Sequence, residues 1–130
     1  MIKYKLLGII DNLSAIGTKY QEIEDITITT SATYPITLAS RAGVEVPPGI
    51  YIIERSIYNK GNFGSAILSM RVGSNSSGKY VRQYDMHNEL LKMITIETIS
   101  EKKTLTTQVT IDSCTSDTTV RVTTCATKIK

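Results

Sequence analysis

The sequence predicts an all-β protein, an antiparallel β-sandwich head preceded by a short N-terminal α-helical stalk. Three observations carry that expectation. From Ile26 to Ile129, apolar residues alternate in short runs separated by turn residues, which is the period-two pattern of strands. Threonine is dense between Thr95 and Thr127, and β-branched residues favour a pleated surface. Ahead of these runs, Ile2, Leu6, Ile9, Leu13, Ile16, Tyr20 and Ile23 follow one another at alternate spacings of four and three, the seam of a coiled coil. The change of rhythm divides the chain into a stalk, 1–25, and a head, 26–130.

In the stalk the spacing places Leu6, Leu13 and Tyr20 at a, and Ile2, Ile9, Ile16 and Ile23 at d. Leu at a with Ile at d disfavours a parallel dimer and shifts the preference to three or four strands. Lys19 at g and Glu24 at the next e could pair between neighbouring helices. Gly8 and Gly17 each cost about 1 kcal/mol of helix propensity. A helix lying on its own sheet is the alternative, favoured by Leu7 and Ile10 outside the seam. Three heptads are marginal in isolation, so a homotrimer held mainly by the head is expected.

The head reads as follows. Pro35 biases Tyr34 towards extended backbone, and Ile36 and Leu38 alternate behind it; Val44 and Val46 are the next pair. Pro47-Pro48-Gly49 is a rigid turn into a long strand, Ile50 to Tyr58, whose apolar residues on both faces predict a central strand covered on both sides. Asn59 to Asn62 is a turn. Ser65 to Gly73 alternates with Ala66, Leu68, Met70 and Val72 inward. Tyr80 to Tyr84 and Leu90 to Ile99 are further strands. Leu105, Thr107, Val109 and Ile111 face inward on the next one. Ser113 to Asp117 turns the chain as the tip of a last hairpin, and Thr118 to Ile129 closes the domain with Val120 and Val122 inward. Eight or so strands at this spacing predict a jelly roll.

Val44-Glu45-Val46-Pro47-Pro48-Gly49-Ile50-Tyr51 resembles the Val-Pro-x-Gly-x-Tyr segment of trimeric jelly rolls of the C1q and tumour-necrosis-factor type. Leu105 to Ile111, then Thr119 to Val122 and the terminal Lys128-Ile129-Lys130, resemble their last two strands. A short coiled coil followed by such a head is similar to the distal part of a bacteriophage tail fibre or receptor-binding protein. The resemblance implies a homotrimer in the virion, made in the host cytoplasm, joined to other tail or baseplate proteins and adhering to a bacterial surface receptor such as a glycan. A purely structural virion protein, or a cellular adhesin of the same fold, is the alternative.

Composition excludes several other classes. The chain is 41% hydrophobic and 21% charged with net charge +3, which is ordinary for a globular protein, and its basic residues are scattered, giving no nucleic-acid footprint. No apolar run approaches the roughly 18 residues of a membrane span. Cys114 and Cys125 fit no metal spacing and read as free thiols. His87 is the single histidine, and there is no Gly-x-Ser-x-Gly elbow, phosphate loop or metal-ligand cluster. The expectation is a protein that is not an enzyme and has no cofactor and no metal. Sugar recognition needs an aromatic face beside planar hydrogen-bonding groups. Two segments have that make-up: Tyr58, Asn59, Asn62 and Phe63 in one, and Arg82, Tyr84, Asp85, His87 and Asn88 in the other.

Overall fold

The computed structural model describes residues 15–29, 31, 33–60, 68–73, 80–86, 90–114 and 117–130. It contains eight strands: β1 (Lys19–Ile28), β2 (Ile36–Val46), β3 (Gly49–Asn59), β4 (Leu68–Gly73), β5 (Tyr80–Met86), β6 (Leu90–Ile99), β7 (Lys103–Cys114) and β8 (Thr118–Lys128). They form two four-stranded sheets, ordered β1-β8-β3-β6 and β2-β7-β4-β5, with every pairing antiparallel. The pairs β1 with β8, β2 with β7, β3 with β6 and β4 with β5 are nested inside one another. That nesting is the strand order of a jelly-roll sandwich. Most strand runs read from alternation stand, with β6 spanning Leu90–Ile99 as expected, but the runs at 36–38 and 44–46 are one strand, β2, and Ser65 and Ala66 lie outside the described residues.

The helical reading of the stalk fails where it can be checked. Tyr20 and Ile23, the last two seam residues, lie on β1, which runs unbroken across the expected boundary at 25/26. Ile16 sits in a turn and is 73% exposed, and Ile2, Leu6, Ile9 and Leu13 lie outside the described residues. The physical reason is partner supply. A helix here would hold only its own marginal hydrogen bonds, whereas β8 offers β1 a continuous antiparallel ladder from Lys19↔Thr127 to Ile28↔Thr118. The inward side of that strand is Tyr20, Glu24, Ile26 and Ile28, an alternation hidden beneath the three-four spacing.

The last hairpin also fails. β7 and β8 lie in opposite sheets, so the turn between them crosses the sandwich. Cys114 stands opposite Leu68, while Cys125 stands between Gln21 and Glu54. Both cysteines are free, and intact mass should be the same before and after reduction, apart from adducts.

Between the sheets the core has two apolar clusters. One contains Ile28, Ile57, Val109, Ile111, Val120 and Val122, and the other Val46, Tyr51, Ile53, Ile99, Leu105 and Ala126. A polar layer separates them. On β3 it is Arg55, between Ile53 and Ile57; on β7 Thr107, between Leu105 and Val109; on β8 Thr124, between Val122 and Ala126. Arg55 is 1% exposed. Its Nε donates to the Thr106 carbonyl at 2.7 Å across the sandwich, and its Nη1 meets Glu97 Oε2 at 3.0 Å. The Thr107 and Thr124 hydroxyls bond each other at 2.6 Å. These bonds join the two sheets in a fixed register, since a buried polar group left without a partner costs about 1–3 kcal/mol.

At the edge formed by β1 and β2 the sheets are clasped. β2 carries two register shifts, between Leu38 and Arg41 and between Arg41 and Val44, with Ser40 and Ala42 at positive φ. The irregularity aims the Ala42 N–H at β1, where it donates to Glu24 Oε1 at 3.0 Å, while Arg41 Nη1 donates to Glu24 Oε2 at 2.7 Å. The Ala42 N–H bond, assisted by Arg41, holds the Glu24 carboxyl below its usual pKa despite some desolvation. A depressed folded-state pKa adds stability that is present above the ordinary glutamate pKa and lost as pH falls through the folded value. Glu24→Gln should therefore be less stable than the parent at pH 7, and the gap should close on acidification below about pH 4. Thermal unfolding of both chains across that range checks this; a pH-independent gap would contradict it.

β3 is central, between β8 and β6. Among the described residues its outer side is only partly covered. Its outward residues Ile50, Ile52 and Glu54 are half-buried, and beyond them on β6 Ile94 and Ile96 are 57% and 67% exposed. Its second apolar face belongs to an open sheet surface.

Candidate functional site

The register brings the two aromatic segments to one end of the sandwich. Tyr58 pairs with Leu90, so the chain leaves β3 where it enters β6. Leu68 pairs with both Met86 and Cys114, placing the start of β4 and the ends of β5 and β7 together. Ile28 pairs with Thr118, which adds the end of β1 and the start of β8. The β1–β2, β3–β4, β5–β6 and β7–β8 connections thus share this end. The opposite end holds the described termini: the Gly17 N–H donates to the Lys128 carbonyl at 2.7 Å, and the Ile50 N–H donates to the Lys130 carbonyl at 2.8 Å.

The individual residues divide sharply. Tyr58 is half-buried on the outer face. Asn59 points inward, is 2% exposed, and accepts a hydrogen bond from Thr118 Oγ1 at 2.8 Å, so it pins the start of β8 and is withdrawn from any ligand. Its odd position on β3 explains this, since the inward set runs Tyr51, Ile53, Arg55, Ile57, Asn59. Arg82, Tyr84 and Asp85 belong to strand β5 and are not in a loop. Asn62, Phe63, His87 and Asn88 lie outside the described residues.

Reading the segments singly missed three charged residues on the same surface. Across the sheet from Tyr58 stands Arg121, and across from Arg121 stands Asp25. Arg121 Nε and Nη2 donate to the two oxygens of Asp25 at 2.9 and 3.2 Å, and Lys60 Nζ reaches Asp25 Oδ2 at 3.0 Å. The Arg121 hydrogen bonds, followed by that of Lys60, pull the Asp25 carboxyl down to about 2. The cluster therefore stays ionised across the physiological range. No local sequence signal marks it, because its members come from β1, from β8 and from the residue just past β3, far apart in the chain. It places a planar guanidinium and a carboxylate beside a tyrosine, a surface able to hold hydroxyl-bearing ligands through hydrogen bonds.

Nearby, Ile26, Ile28, Tyr34, Ile36, Leu38 and Ile111 line an apolar cleft of about 100 Å³. It is smaller than the roughly 300 Å³ at which drug-sized ligand pockets begin. Tyr34 closes one side by donating its hydroxyl to the Thr29 carbonyl. Among the described residues no three His, Cys, Asp or Glu side chains gather as a metal site, and no helix is long and apolar enough to cross a membrane.

No protein-family model matches the chain, and no curated protein matches it. Among solved structures it is similar to a chain of the virus-like particle of extra small virus from the giant freshwater prawn Macrobrachium rosenbergii. The match has a TM-score of 0.32 and 14% identity, over 91% of this chain and 84% of that one.

Proposed function

We propose that this chain is a structural protein of a virion, a jelly-roll subunit that assembles with copies of itself. The observation that carries the reading is the outer face of the β1-β8-β3-β6 sheet. Ile94 and Ile96 on β6 are exposed there beside half-buried Ile52 on β3, and Ile23 is exposed on the opposite edge strand, β1. Exposed apolar patches of this kind on a small domain mark interaction sites. The jelly-roll resemblance adds a three-fold assembly as the arrangement proposed. Light scattering at micromolar concentration tests the reading: a mass above the monomer is expected, and a monomer overturns it.

A second reading, adhesion to a bacterial surface glycan or other receptor, is favoured by the convergence of both aromatic segments at the end opposite the termini. In that reading Tyr58 and the Asp25–Arg121–Lys60 cluster contribute to the contact. Tyr58→Ala and Arg121→Ala should each weaken adhesion to host cells severalfold without changing assembly mass. Unchanged adhesion by both variants leaves the purely structural role.

A further inference from the structure

Among the described residues the four edge strands of the sandwich are not equally defended. An edge strand presents unpaired backbone N–H and C=O groups, and proteins protect such edges with bulges, charges or covering contacts. β2 has two register shifts, and the pairing of β4 with β5 shifts between Leu68 and Met70. β1 has an unshifted register but carries Lys19, Glu22, Glu24 and Asp25, and the Glu24–Arg41 clasp ties it to β2. β6 differs from all three. It pairs with β3 without a shift from Gly49↔Ile99 to Tyr58↔Leu90, contains no proline, and presents Ile94 and Ile96 to solvent. Lys92 is the one charge on its outer side.

We propose that the free edge of β6 pairs antiparallel with the β6 of a second copy of this chain, joining two four-stranded sheets into one. The inference rests on the self-assembly reading and names one of its interfaces. The sequence of β6 is complementary to itself in this arrangement. Directly opposite residues of an antiparallel pair share a face, so a two-fold axis through Thr95 sets Ile94 against the partner's Ile96, and Ile96 against the partner's Ile94. Lys92 then faces the partner's Thr98, and Glu97 the partner's Met93, so no like charges meet. The outer apolar stripe continues on each side into Ile52, which is opposite Ile96 on β3. Backbone bonds supply the attraction, and the two isoleucine pairs set the register. Such an interface is isologous and closes at two copies. It makes a dimer of single chains or links two trimers.

The test is to introduce charge at the two isoleucines, both exposed enough for the fold to tolerate the change. Ile94→Lys/Ile96→Lys sets lysine against lysine across the axis and should halve the assembly mass measured by light scattering, with circular dichroism unchanged. Ile94→Glu/Ile96→Glu should do the same. Mixing the two variants should restore the parent mass, because each lysine then meets a glutamate. Hydrogen exchange gives a second readout: the β6 amides of the parent should exchange at least tenfold more slowly in the assembled state than in the lysine variant. A monomeric parent overturns the self-assembly reading altogether. An assembled parent whose folded lysine variant keeps full mass, or whose mixture with the glutamate variant gains none, overturns the β6 interface alone.

Discussion

Arg55→Ala is expected to lower the unfolding free energy by about 3–5 kcal/mol, the usual cost of removing one partner from a buried ion pair. Arg55 is 1% exposed, and its guanidinium serves the Thr106 carbonyl, the Glu97 carboxylate and, at 3.4 Å, the Thr95 hydroxyl. Truncation leaves Glu97, whose side chain is 17% exposed, facing a void between two apolar clusters. Against a total stability of about 5–15 kcal/mol for a domain this size, the loss is large. Arg55→Met/Glu97→Met should recover most of it, because well-packed apolar replacements of a buried pair are often neutral or better. Urea denaturation of the three chains provides the check. A cost below about 1 kcal/mol for Arg55→Ala would mean that the polar layer does not bind the sheets together as described.

Tyr51→Ala is expected to cost a similar amount, about 3–5 kcal/mol by analogy with other buried aromatic truncations. Tyr51 is fully buried in the cluster near the termini. Its hydroxyl donates to the Pro47 carbonyl at 2.7 Å, fixing the turn that feeds β3. Its ring meets that of Tyr20 edge-on, with centroids 6.1 Å apart and planes at 75°. Tyr51→Phe keeps the ring contact and loses the hydrogen bond, so it should cost about 1 kcal/mol. A double-mutant cycle with Tyr20→Ala should show a coupling of about 0.5–1.5 kcal/mol. Zero coupling would show that the ring contact adds nothing to the β8 ladder and the Glu24 clasp in holding β1.

The candidate site was only half legible. Tyr58 stood out as an aromatic beside amides, and the structure puts it on the outer face. Asn59 stood out for the same reason and proved to be a buried strut, since strand parity and not residue type decides which side of a sheet a group faces. Asp25, Lys60 and Arg121 went unnoticed because their closeness exists only once β1, β8 and β3 are laid side by side. Pairing across a sheet has no local signature, and Asp25 and Arg121 are 96 positions apart.

What the sequence by itself determined was the element type and the facing of individual strands. Leu105, Thr107, Val109 and Ile111 on β7, and Val120 and Val122 on β8, are buried as their alternation requires, because a period of two is a property of the chain and needs no partner. The tertiary structure alone decided which strands are neighbours. It sent β7 and β8 to opposite sheets, although a short turn joins them. It also drew Lys19 to Asp25 out of an apparent helical seam and into an edge strand. The seam was a local pattern with a small intrinsic free energy, broken at Gly17 where φ is +91°. The ladder to β8, the Tyr20–Tyr51 ring contact and the Glu24 clasp act together on the same ten residues, and long-range contacts of that number outweigh a marginal local preference.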